Sequence, residues 1–466
     1  MSARMPHGDS MMSLQEAALI LGDSTAHAAS SFQRVTTDTR RLKAGDLFVA
    51  LRGEHFDGHA FVAEALRCGA VGAVVEASWT DMESMEDGVR PQLICVPDTA
   101  LALADLAGAW RLRINPRVVA VTGSNGKTSV KEMLAAILKS AATLEGGLAA
   151  DSVLSTEGNL NNTLGLPMTL LRLRAGHRWA VVEMGMNRVG EIAAMTRTAR
   201  PDVALVNNVQ RAHVGMLGSL EAVARAKGEI FAGLPEKGVA VLPAGEPMTA
   251  LLRECASGRQ IVDFALDRPA LVQGSIQGET LQITGPETVV QVRLNVPGRH
   301  NQANAVAAAA AAMALKISAE AIRQGLEAFQ GVSGRLQSRF SALGALVIDD
   351  TYNANPDSVA AAIAVLAARP GRRILVLGDL GELGDEAPTL HAEVGQVARA
   401  AGIDDCFTVG ELTRETCRAF GAQARHFESA AVLVSTLLPQ LNAGTTVLVK
   451  GSRFMQMERV VEGLVQ

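Results

Sequence analysis

The chain has 466 residues, which at roughly 100 to 200 residues per domain predicts about three domains. Its 43 lysines and arginines nearly balance 48 aspartates and glutamates, and the formal charge is −5 without any long run of one sign. This balance argues against nucleic acid or an anionic membrane surface as a partner and favours small-molecule chemistry.

The N-terminal segment predicts a short tail followed by a helix. The first ten or so residues are expected to be disordered, and they lack the charged region, apolar core and cleavage site of a signal peptide. Ser13 and Glu16 have capping-box spacing and Gly22 is a typical stop, so we expect a helix from Ser13 to Leu21. Five scattered cysteines without C-x-x-C pairs disfavour disulfides and zinc and favour a reducing cytoplasm.

The next hundred residues predict a small α/β domain. Strand-like runs lie at 46–51, 71–76 and 92–96, with a helical pattern between the first two. A second helix ends near Asn115-Pro116, which is a typical breaker. We therefore predict a first domain over residues 1–115.

A phosphate-binding loop is predicted in the sequence VVAVTGSNGKTSV, residues 118–130. Glycines in the turn let backbone N–H groups approach phosphate oxygens, and the N-terminus of the following helix adds free N–H groups. Lys127 can neutralise phosphate charge, and the Thr128 hydroxyl can bind Mg²⁺. The predicted phosphate contacts are Gly123, Ser124, Asn125, Gly126, Lys127, Thr128 and Ser129. The apolar stripe that supports the helix is Val130, Met133, Leu134, Ile137 and Leu138.

One position departs from the general phosphate-loop pattern, which has glycine six residues before the lysine. Val121 occupies that position, so the motif is the shorter G-x-x-G-K-T. The alternative is a plain strand-turn-helix connection with a coincidental Lys-Thr pair. We disfavour it because strand, turn, lysine, hydroxyl and helix follow in the order that phosphate binding needs.

Further buried-strand runs predict a parallel sheet around this loop. Glu183 ends the strand WAVVE and His213 follows the strand VALVNNV, so both are expected at the carboxyl edge beside Thr128. Taken alone, Glu183 could be an ordinary solvated glutamate and His213 an ordinary structural histidine. Histidine beside Mg²⁺ is unusual because magnesium prefers oxygen, which hints at a second, more loosely held metal.

The central domain is predicted to end with a mixed section and a buried helix. Short alternating stretches between 270 and 296 predict a few antiparallel strands. The apolar run 303–315 predicts a buried helix that is too short to span a bilayer. With the glycines at 331 and 334 as its end, we place the central domain at residues 116–334.

The last part of the chain, residues 335–466, predicts a third α/β domain with the pattern of a dinucleotide fold. Its first helix is opened by Pro356, and its last is expected from Met455. Charged residues end its strands, at the edge where open sheets bind ligands: Asp349, Asp350, Asp379 and Lys450.

Taken in order, these segments resemble the Mur ligase family over nearly the whole chain. The first domain carries TDTRRLKAGDLFVALRGEHFDGHAF. The second carries VTGSNGKTSVKEM, EGNLNNTLGLP, VVEMGMNRVGEI, AHVGMLGS, ARAKGEIF and GRHNQANAVAA, and the third carries GRLQ, DDTYNANPDS, GDLGELG and KGSRFMQME. The resemblance implies a cytoplasmic, ATP-dependent carboxylate-amine ligase that functions in peptidoglycan synthesis without inserting into the membrane, and we expect a monomer.

The family's nucleotide and metal residues map onto this sequence. The resemblance implies that Lys227 is carbamylated and, with Thr128, Glu183 and His213, holds two Mg²⁺ ions; the alternative for Lys227 is an ordinary surface lysine. It also implies that Asn301 contacts adenine, Arg335 the nucleotide and Asp350 the ribose. From the residues alone, Asn301 is expected to be a helix N-cap.

The family's substrate segments are implied in two places. Thr37, Asp38, Thr39 and Arg40 match the segment that holds the uridine-diphosphate end, and Asn159, Asn161 and Asn162 match a loop that contacts the diphosphate and sugar region. A polar turn is the alternative for each asparagine. The implied contacts of the incoming dipeptide are Tyr352, Asn353, Asn355 and Arg453.

These segments favour the branch of the family that adds D-alanyl-D-alanine to UDP-N-acetylmuramoyl-tripeptide through an acyl phosphate. The implied catalytic residues are Lys127, Lys227 and His213. The branch that adds the third peptide residue typically has a D-N-P-R box, which we do not find, and the full first domain disfavours a folylpolyglutamate synthetase. A nucleotide-switched binding protein is the alternative from outside the ligases.

Overall fold

The computed structural model describes residues 10–24, 28–53, 56–80, 92–147, 149–212 and 214–465. The tail predicted at the N-terminus lies almost entirely outside these ranges, and so does His213. Three large sheets, one in each predicted domain, organise the described chain, and a fourth sheet of two short antiparallel strands lies in the first domain. The predicted boundaries after residues 115 and 334 remain predictions.

The N-terminal sheet has four parallel strands, and two short strands and three helices accompany it. The bounds are β1 Met12–Ser13, α1 Leu14–Leu21, β2 Ser31–Phe32, β3 Arg34–Thr36, β4 Asp46–Val49, α2 Val62–Arg67, β5 Gly72–Glu76, β6 Leu93–Val96 and α3 Thr99–Ile114. The capped helix is confirmed, since Ser13 Oγ accepts the Glu16 N–H at 3.1 Å and Gly22 is left-handed. Asn115 ends α3 as predicted.

The central sheet has nine strands in the order β15-β14-β13-β12-β11-β10-β7-β9-β8. The bounds are β7 Arg117–Thr122, α4 Lys127–Gly146, β8 Val153–Ser155, α5 Gly165–Leu170, β9 Trp179–Glu183, α6 Glu191–Ala199, β10 Val203–Val206, α7 Val214–Leu217, α8 Leu220–Gly228, β11 Val239–Pro243, α9 Thr249–Cys255, β12 Gln260–Leu266, β13 Val272–Gln277, β14 Thr280–Thr284, β15 Val289–Val292, α10 Arg299–Ala314 and α11 Ala319–Ala328.

The predicted character of the central sheet is confirmed. All pairs from β8 at one edge of the sheet to β13 are parallel. At the other edge, β14 pairs antiparallel with both β13 and β15. The stripe of α4 is fully buried, with all five predicted residues at 0% exposure. The alanine-rich helix α10 packs against α4 and is buried from Asn304 to Ala312.

Two predictions for helix starts are wrong. Asn301 lies inside α10, whose N-cap is Gly298, because the helix begins at Arg299, two residues before Asn301 and four before the apolar run. The last helix begins at Glu458, since Arg453–Met455 form a separate 3-10 turn.

The C-terminal sheet has six strands in the order β16-β17-β21-β18-β19-β20, and only β16 is antiparallel to its neighbour. The bounds are β16 Gln337–Phe340, β17 Leu346–Asp350, α12 Pro356–Ala367, β18 Arg372–Gly378, α13 Ala387–Ala400, β19 Asp405–Val409, α14 Thr413–Phe420, β20 Ala424–Phe427, α15 Ala430–Leu437, β21 Thr445–Lys450 and α16 Glu458–Val465. Pro356 opens α12 as predicted, with Asn355 as its N-cap. Among the helices of the described ranges, none combines the length and the hydropathy of a membrane span.

Candidate functional site

The predicted phosphate loop lies between β7 and α4 and turns at two glycines. Gly123 has φ 152° and Gly126 has φ 77°, so both use backbone conformations that side chains disfavour, and α4 begins at Lys127. Val121 lies within β7, is fully buried and pairs with Glu183 of β9. A glycine is not needed at that position because the chain leaves the strand only after Thr122.

Asparagines from distant elements fix the shape of this loop. The Asn125 N–H donates to Asn208 Oδ1 at 2.8 Å, and the Asn125 carbonyl accepts from Asn207 Nδ2 at 2.9 Å. Asn207 also donates to Asn304 Oδ1 of α10 at 2.9 Å. A Cβ on Gly126 would lie 2.4 Å from that oxygen, so glycine is required there for space as well as for φ. Sequence reasoning missed all three bracing asparagines; their one signal is their place just after β10 and in the GRHNQANA segment.

Glu183, at the end of β9, is brought to the first turn of α4. The Thr128 hydroxyl donates to Glu183 Oε2 at 2.9 Å, and Asn161 Nδ2 donates to Oε1 at 2.8 Å. Glu183 is only 2% exposed, and it lines the cavity described below. The sequence prediction that Glu183 meets Thr128 at the carboxyl edge therefore holds in the geometry.

Two lysines at this edge have weakened basicity. Burial lowers the pKa of Lys127; the Glu183 carboxylate opposes this shift and the Arg335 charge adds to it. Burial holds the pKa of the Lys227 amine well below its ordinary value, and the Lys127 charge lowers it further. Lys227 is 1% exposed in α8, so the alternative of a surface lysine is wrong.

The structure describes three of the four predicted metal ligands, Thr128, Glu183 and Lys227. His213 lies outside the described residues. Within the described ranges, no group of three or more His, Cys, Asp or Glu side chains is arranged to hold a metal ion. The oxygen donors present at the predicted position are the Glu183 carboxylate and the Thr128 hydroxyl.

The C-terminal domain contributes Arg335 directly to the loop. Arg335 Nη2 donates to Thr128 Oγ1 at 2.9 Å, and the guanidinium carbon lies 4.3 Å from the centre of the Tyr352 ring. Arg335 Nε is buried and has no hydrogen-bond partner within the described part of the chain. A phosphate oxygen could satisfy this donor.

The predicted ribose residue, Asp350, is built into the C-terminal sheet. Its Oδ2 lies 2.6 Å from Lys450 Nζ, and its Oδ1 accepts the Leu336 N–H at 3.2 Å. Lys450 also donates to the Asn353 carbonyl at 2.9 Å, which fixes the segment after β17. This ion pair couples the ends of β17 and β21.

The central and C-terminal domains are in direct contact around the loop. Arg211 forms ion pairs with Asp357 at 2.8 Å and with Glu393 at 2.9 Å, and both carboxylates belong to the C-terminal domain. Those two partners raise the pKa of Arg211 above its ordinary value. Asn125 and Asn355 exchange amide hydrogen bonds at 2.8 and 3.2 Å. Sequence reasoning missed Arg211 because a lone loop arginine resembles a solvated surface charge.

A cavity of about 1520 Å³ lies between these two domains. Pockets for one drug-sized ligand typically have about 300–1,000 Å³, so this cavity has room for more than one substrate. The predicted site residues that line it are Ser124, Asn125, Gly126, Lys127, Ser129, Asn159, Asn161, Asn162, Glu183, Asn301, Arg335, Asp350, Tyr352, Asn353, Asn355 and Arg453. Gly123, Thr128 and Lys227 lie outside that lining.

The segment from Thr37 to Arg40 is not brought to this cavity. Asp38 caps a 3-10 turn, and its carboxylate pairs with the exposed Arg40 at 2.8 Å. Within the described ranges, the hydrogen bonds of this pair involve only residues 36–41. The geometry therefore leaves the predicted uridine-diphosphate segment as a separate region of the N-terminal domain.

Three family models match the chain: the Mur ligase family catalytic domain at residues 31–111, the Mur ligase middle domain at 121–312 and the Mur ligase glutamate ligase domain at 334–453. UDP-N-acetylmuramoyl-tripeptide--D-alanyl-D-alanine ligase of Escherichia coli (strain K12) is 42% identical over 456 residues, 96% of each chain. A crystal structure of MurF from Acinetobacter baumannii has a TM-score of 0.87 at 35% identity, covering 97% of this chain and 98% of that one. MurF ligase from Thermotoga maritima in complex with ADP has a TM-score of 0.81 at 28% identity, covering 92% and 96%.

Proposed function

The chain belongs to the Mur ligase family, and from this premise we propose that it is an ATP-dependent ligase that joins UDP-N-acetylmuramoyl-tripeptide to D-alanyl-D-alanine. The observation that carries the proposal is the Thr128 hydroxyl, which contacts both Glu183 of the central sheet and Arg335 of the C-terminal domain. The product is the UDP-linked pentapeptide precursor of peptidoglycan.

The reaction has two steps. In the first, a carboxylate oxygen of the tripeptide attacks the γ-phosphorus of ATP, the bond to the bridging oxygen breaks, and ADP leaves. In the second, the dipeptide amine attacks the acyl carbon, phosphate leaves with the former carboxylate oxygen, and the nitrogen loses a proton. Lys127, Arg335 and the N-terminus of α4 stabilise the phosphate charge in both steps.

Closure of the C-terminal domain protects the acyl phosphate from water. The contacts of Arg211 and Asn355 place that domain over the loop, and the cavity between them is where both substrates would meet. Tyr352, Asn353, Asn355 and Arg453 on the C-terminal side are proposed for the dipeptide. Asn159, Asn161 and Asn162, with residues 37–40 of the N-terminal domain, are proposed for the UDP-linked substrate. Asn301 and Asp350 are assigned to adenine and ribose.

Magnesium fits the oxygen donors of this edge. Hard carboxylate and hydroxyl oxygens are the ligands that Mg²⁺ prefers, and Glu183 and Thr128 supply them beside the cavity. We assign two ions to Thr128, Glu183, His213 and Lys227. When bound, the ions offset the negative charge of the phosphates.

Lys227 fits a metal ligand set only as a carbamate. Its buried amine has a lowered pKa and forms no ion pair with a carboxylate in the described ranges. A neutral amine nitrogen can attack the carbon of CO₂ and lose a proton, which converts it into an anionic oxygen ligand. Lys227→Ala should therefore be largely inactive and partly rescued by a short carboxylate or bicarbonate, whereas the exposed Lys237→Ala should be unaffected. Wild-type turnover in Lys227→Ala would contradict the carbamate.

The decisive experiment measures phosphate release together with the mass of the product. We expect ADP, phosphate and the amide product only when ATP, the UDP-linked tripeptide and D-alanyl-D-alanine are all present. Phosphate release with a diamino acid or glutamate in place of D-alanyl-D-alanine would show that the protein is another ligase of the family. ATP hydrolysis without any amide would favour a nucleotide-switched binding protein.

The loop assignment has its own variant. Lys127→Ala should abolish phosphate release in the presence of all substrates, because no other side chain of the loop carries a positive charge. Lys139→Ala removes an exposed lysine from the same helix and should leave turnover unchanged. Retained turnover in Lys127→Ala would exclude this role.

We also propose that the protein is a cytoplasmic monomer. Sedimentation of the full chain can test the oligomeric state.

A further inference from the structure

Lys131 is a buried charged side chain for which the proposed reaction has no use. It lies on α4, one turn after Thr128, and is 1% exposed. Its Nζ donates to the Thr156 carbonyl at 2.8 Å and pairs with the neighbouring Glu132 carboxylate. Neither Lys131 nor Thr156 lines the large cavity. Burying an ammonium is costly, so a buried lysine needs partners that compensate for its lost hydration.

Thr156 is the residue through which Lys131 reaches the site. The Thr156 N–H donates to Val181 of β9 at 3.0 Å, and its Oγ1 accepts the Glu183 N–H at 2.9 Å. With the Lys131 bond, Thr156 is held at its nitrogen, hydroxyl and carbonyl. Lys131 thus fixes the residue that fixes the backbone of Glu183.

Thr156 also begins the loop that carries Asn159 to Asn162. At the far side of this loop, Asn161 Nδ2 donates to Glu183 Oε1 at 2.8 Å and the Asn161 carbonyl accepts the Gly185 N–H at 2.7 Å. The loop is therefore attached to the end of β9 at two points. Lys131 attaches Thr156, the first residue of this loop, to the helix α4.

Two side chains of α4 at i, i+3 spacing hold Glu183 and the loop 156–162 in place. Thr128 contacts the Glu183 carboxylate directly, and Lys131 contacts the loop through Thr156. We propose that Lys131 is a positioning residue that sets the loop 156–162 and Glu183 relative to the phosphate loop, so that the UDP-linked substrate and ATP are aligned. This inference rests on the proposed function, which gives that loop its substrate.

The test compares Lys131→Met with Lys131→Gln, Glu132→Gln and Lys139→Met. Methionine keeps the length without a donor, and glutamine keeps an N–H donor. Glu132→Gln removes the ion-pair partner but leaves the bond to Thr156, and Lys139→Met is the exposed control on the same helix. Supporting side chains behind a metal or substrate site typically contribute about 10- to 100-fold to activity or affinity.

We expect Lys131→Met to lower kcat/KM for the UDP-linked tripeptide by about 10- to 100-fold, while KM for the dipeptide changes less than about twofold. Lys131→Gln and Glu132→Gln should lower kcat/KM less than Lys131→Met does, and Lys139→Met should match wild type. Amide hydrogen exchange should accelerate at residues 156–162 in Lys131→Met alone. Calorimetric binding of the UDP-linked tripeptide without ATP should weaken in parallel.

Several results would overturn the proposal. Wild-type kcat/KM in Lys131→Met is one, and an equal loss for all three substrates with faster exchange throughout the central domain is another. If Lys131→Met does not fold, Lys131→Gln carries the same test; loss of cooperative unfolding in both would make Lys131 a folding residue only. If wild type forms no amide product, the proposed function fails, and the exchange comparison still decides the role of Lys131.

Discussion

The ion pairs of Arg211 should control how firmly the C-terminal domain closes on the phosphate loop. Arg211 is the central-domain residue that bonds two carboxylates of the C-terminal domain, Asp357 and Glu393. We expect Arg211→Met to favour the open arrangement without disturbing either domain. The Arg211 N–H keeps its own bond to Asp357 at 2.8 Å, so the loop itself retains a partner.

The size of the effect follows from the exposure of the charges. The side chains of Arg211, Asp357 and Glu393 are 39%, 23% and 41% exposed, so water screens both pairs. Exposed ion pairs contribute up to about 1 kcal/mol each, and forked geometry favours the upper part of that range. Two pairs then amount to about 1–2 kcal/mol, which shifts the closing equilibrium by about 5- to 30-fold.

The assay is kcat/KM for D-alanyl-D-alanine, with the radius of gyration from small-angle scattering as a measure of closure. Arg211→Met should lower kcat/KM by about 5- to 30-fold and increase the radius of gyration of the nucleotide complex. The matched control is Arg372→Met, because Arg372 and Asp405 have 37% and 23% exposure but pair within the C-terminal domain. That variant should leave both measurements near wild type.

Salt provides an independent check on the same contact. The Debye length falls from about 10 Å at 0.1 M salt to about 3 Å at 1 M, so salt should weaken closure in wild type. The salt dependence should be flatter in Arg211→Met, where the ionic contact is already gone. Equal kcat/KM in the two arginine variants, or an equally steep salt dependence in Arg211→Met and wild type, would refute this reasoning.

The remaining predictions concern one steric contact and one buried charge. A Cβ on Gly215 would lie 2.6 Å from the Gly384 backbone nitrogen of the other domain, so Gly215→Val should lower kcat/KM for the dipeptide with little change in thermal stability; Gly176→Val, in open space, is the control, and normal activity in Gly215→Val would contradict the contact. Lys227→Met should stabilise the metal-free and CO₂-free protein, because the native state disfavours the charged amine. Since the pKa of Lys227 is lower in the folded than in the unfolded chain, wild-type stability rises with pH from the folded pKa up to about 10.5. Urea titrations should thus show the largest gain from methionine at the acidic end of that window, and a gain that does not change with pH would exclude this explanation.

The loop and its edge of the sheet could be predicted because their signals are local. The strand β7, the two glycines and the stripe of α4 lie within one short stretch of sequence, from Arg117 to Leu138. Glu183 was placed correctly because parallel strands end at a common edge, which needs no knowledge of tertiary contacts. The strand β16 gives no such signal, since all four of its residues are exposed.

What could not be predicted depends on pairs that are distant in sequence. Asn207 meets Asn304 across 97 positions, and Arg211 meets Glu393 across 182. Asparagines and arginines in loops resemble solvated turns when they are read alone. The prediction of Asn301 as an N-cap failed for a local reason, because α10 already begins at Arg299 and Asn301 Nδ2 donates to the Pro297 carbonyl at 2.7 Å.

We expect ATP binding and closure of the C-terminal domain to be coupled through the charges of the phosphate site. Arg335 of the C-terminal domain contacts Thr128. Burial lowers the pKa of Lys127 and the Arg335 charge adds to this shift; burial likewise lowers the pKa of Lys227 and the Lys127 charge adds to it. The Glu183 carboxylate opposes the shift of Lys127 but not that of Lys227, so we expect that bringing the cations together costs free energy in the absence of phosphate. We expect the triphosphate of ATP to offset that cost, because its negative charge would lie among the same cations. By linkage, a nucleotide that favours closure must bind more tightly to the closed protein. The factor by which the Arg211 contacts strengthen nucleotide binding must then equal the factor by which the nucleotide strengthens those contacts. The cations of the phosphate site and the ion pairs at the domain contact therefore act on a single equilibrium, although no residue is common to both.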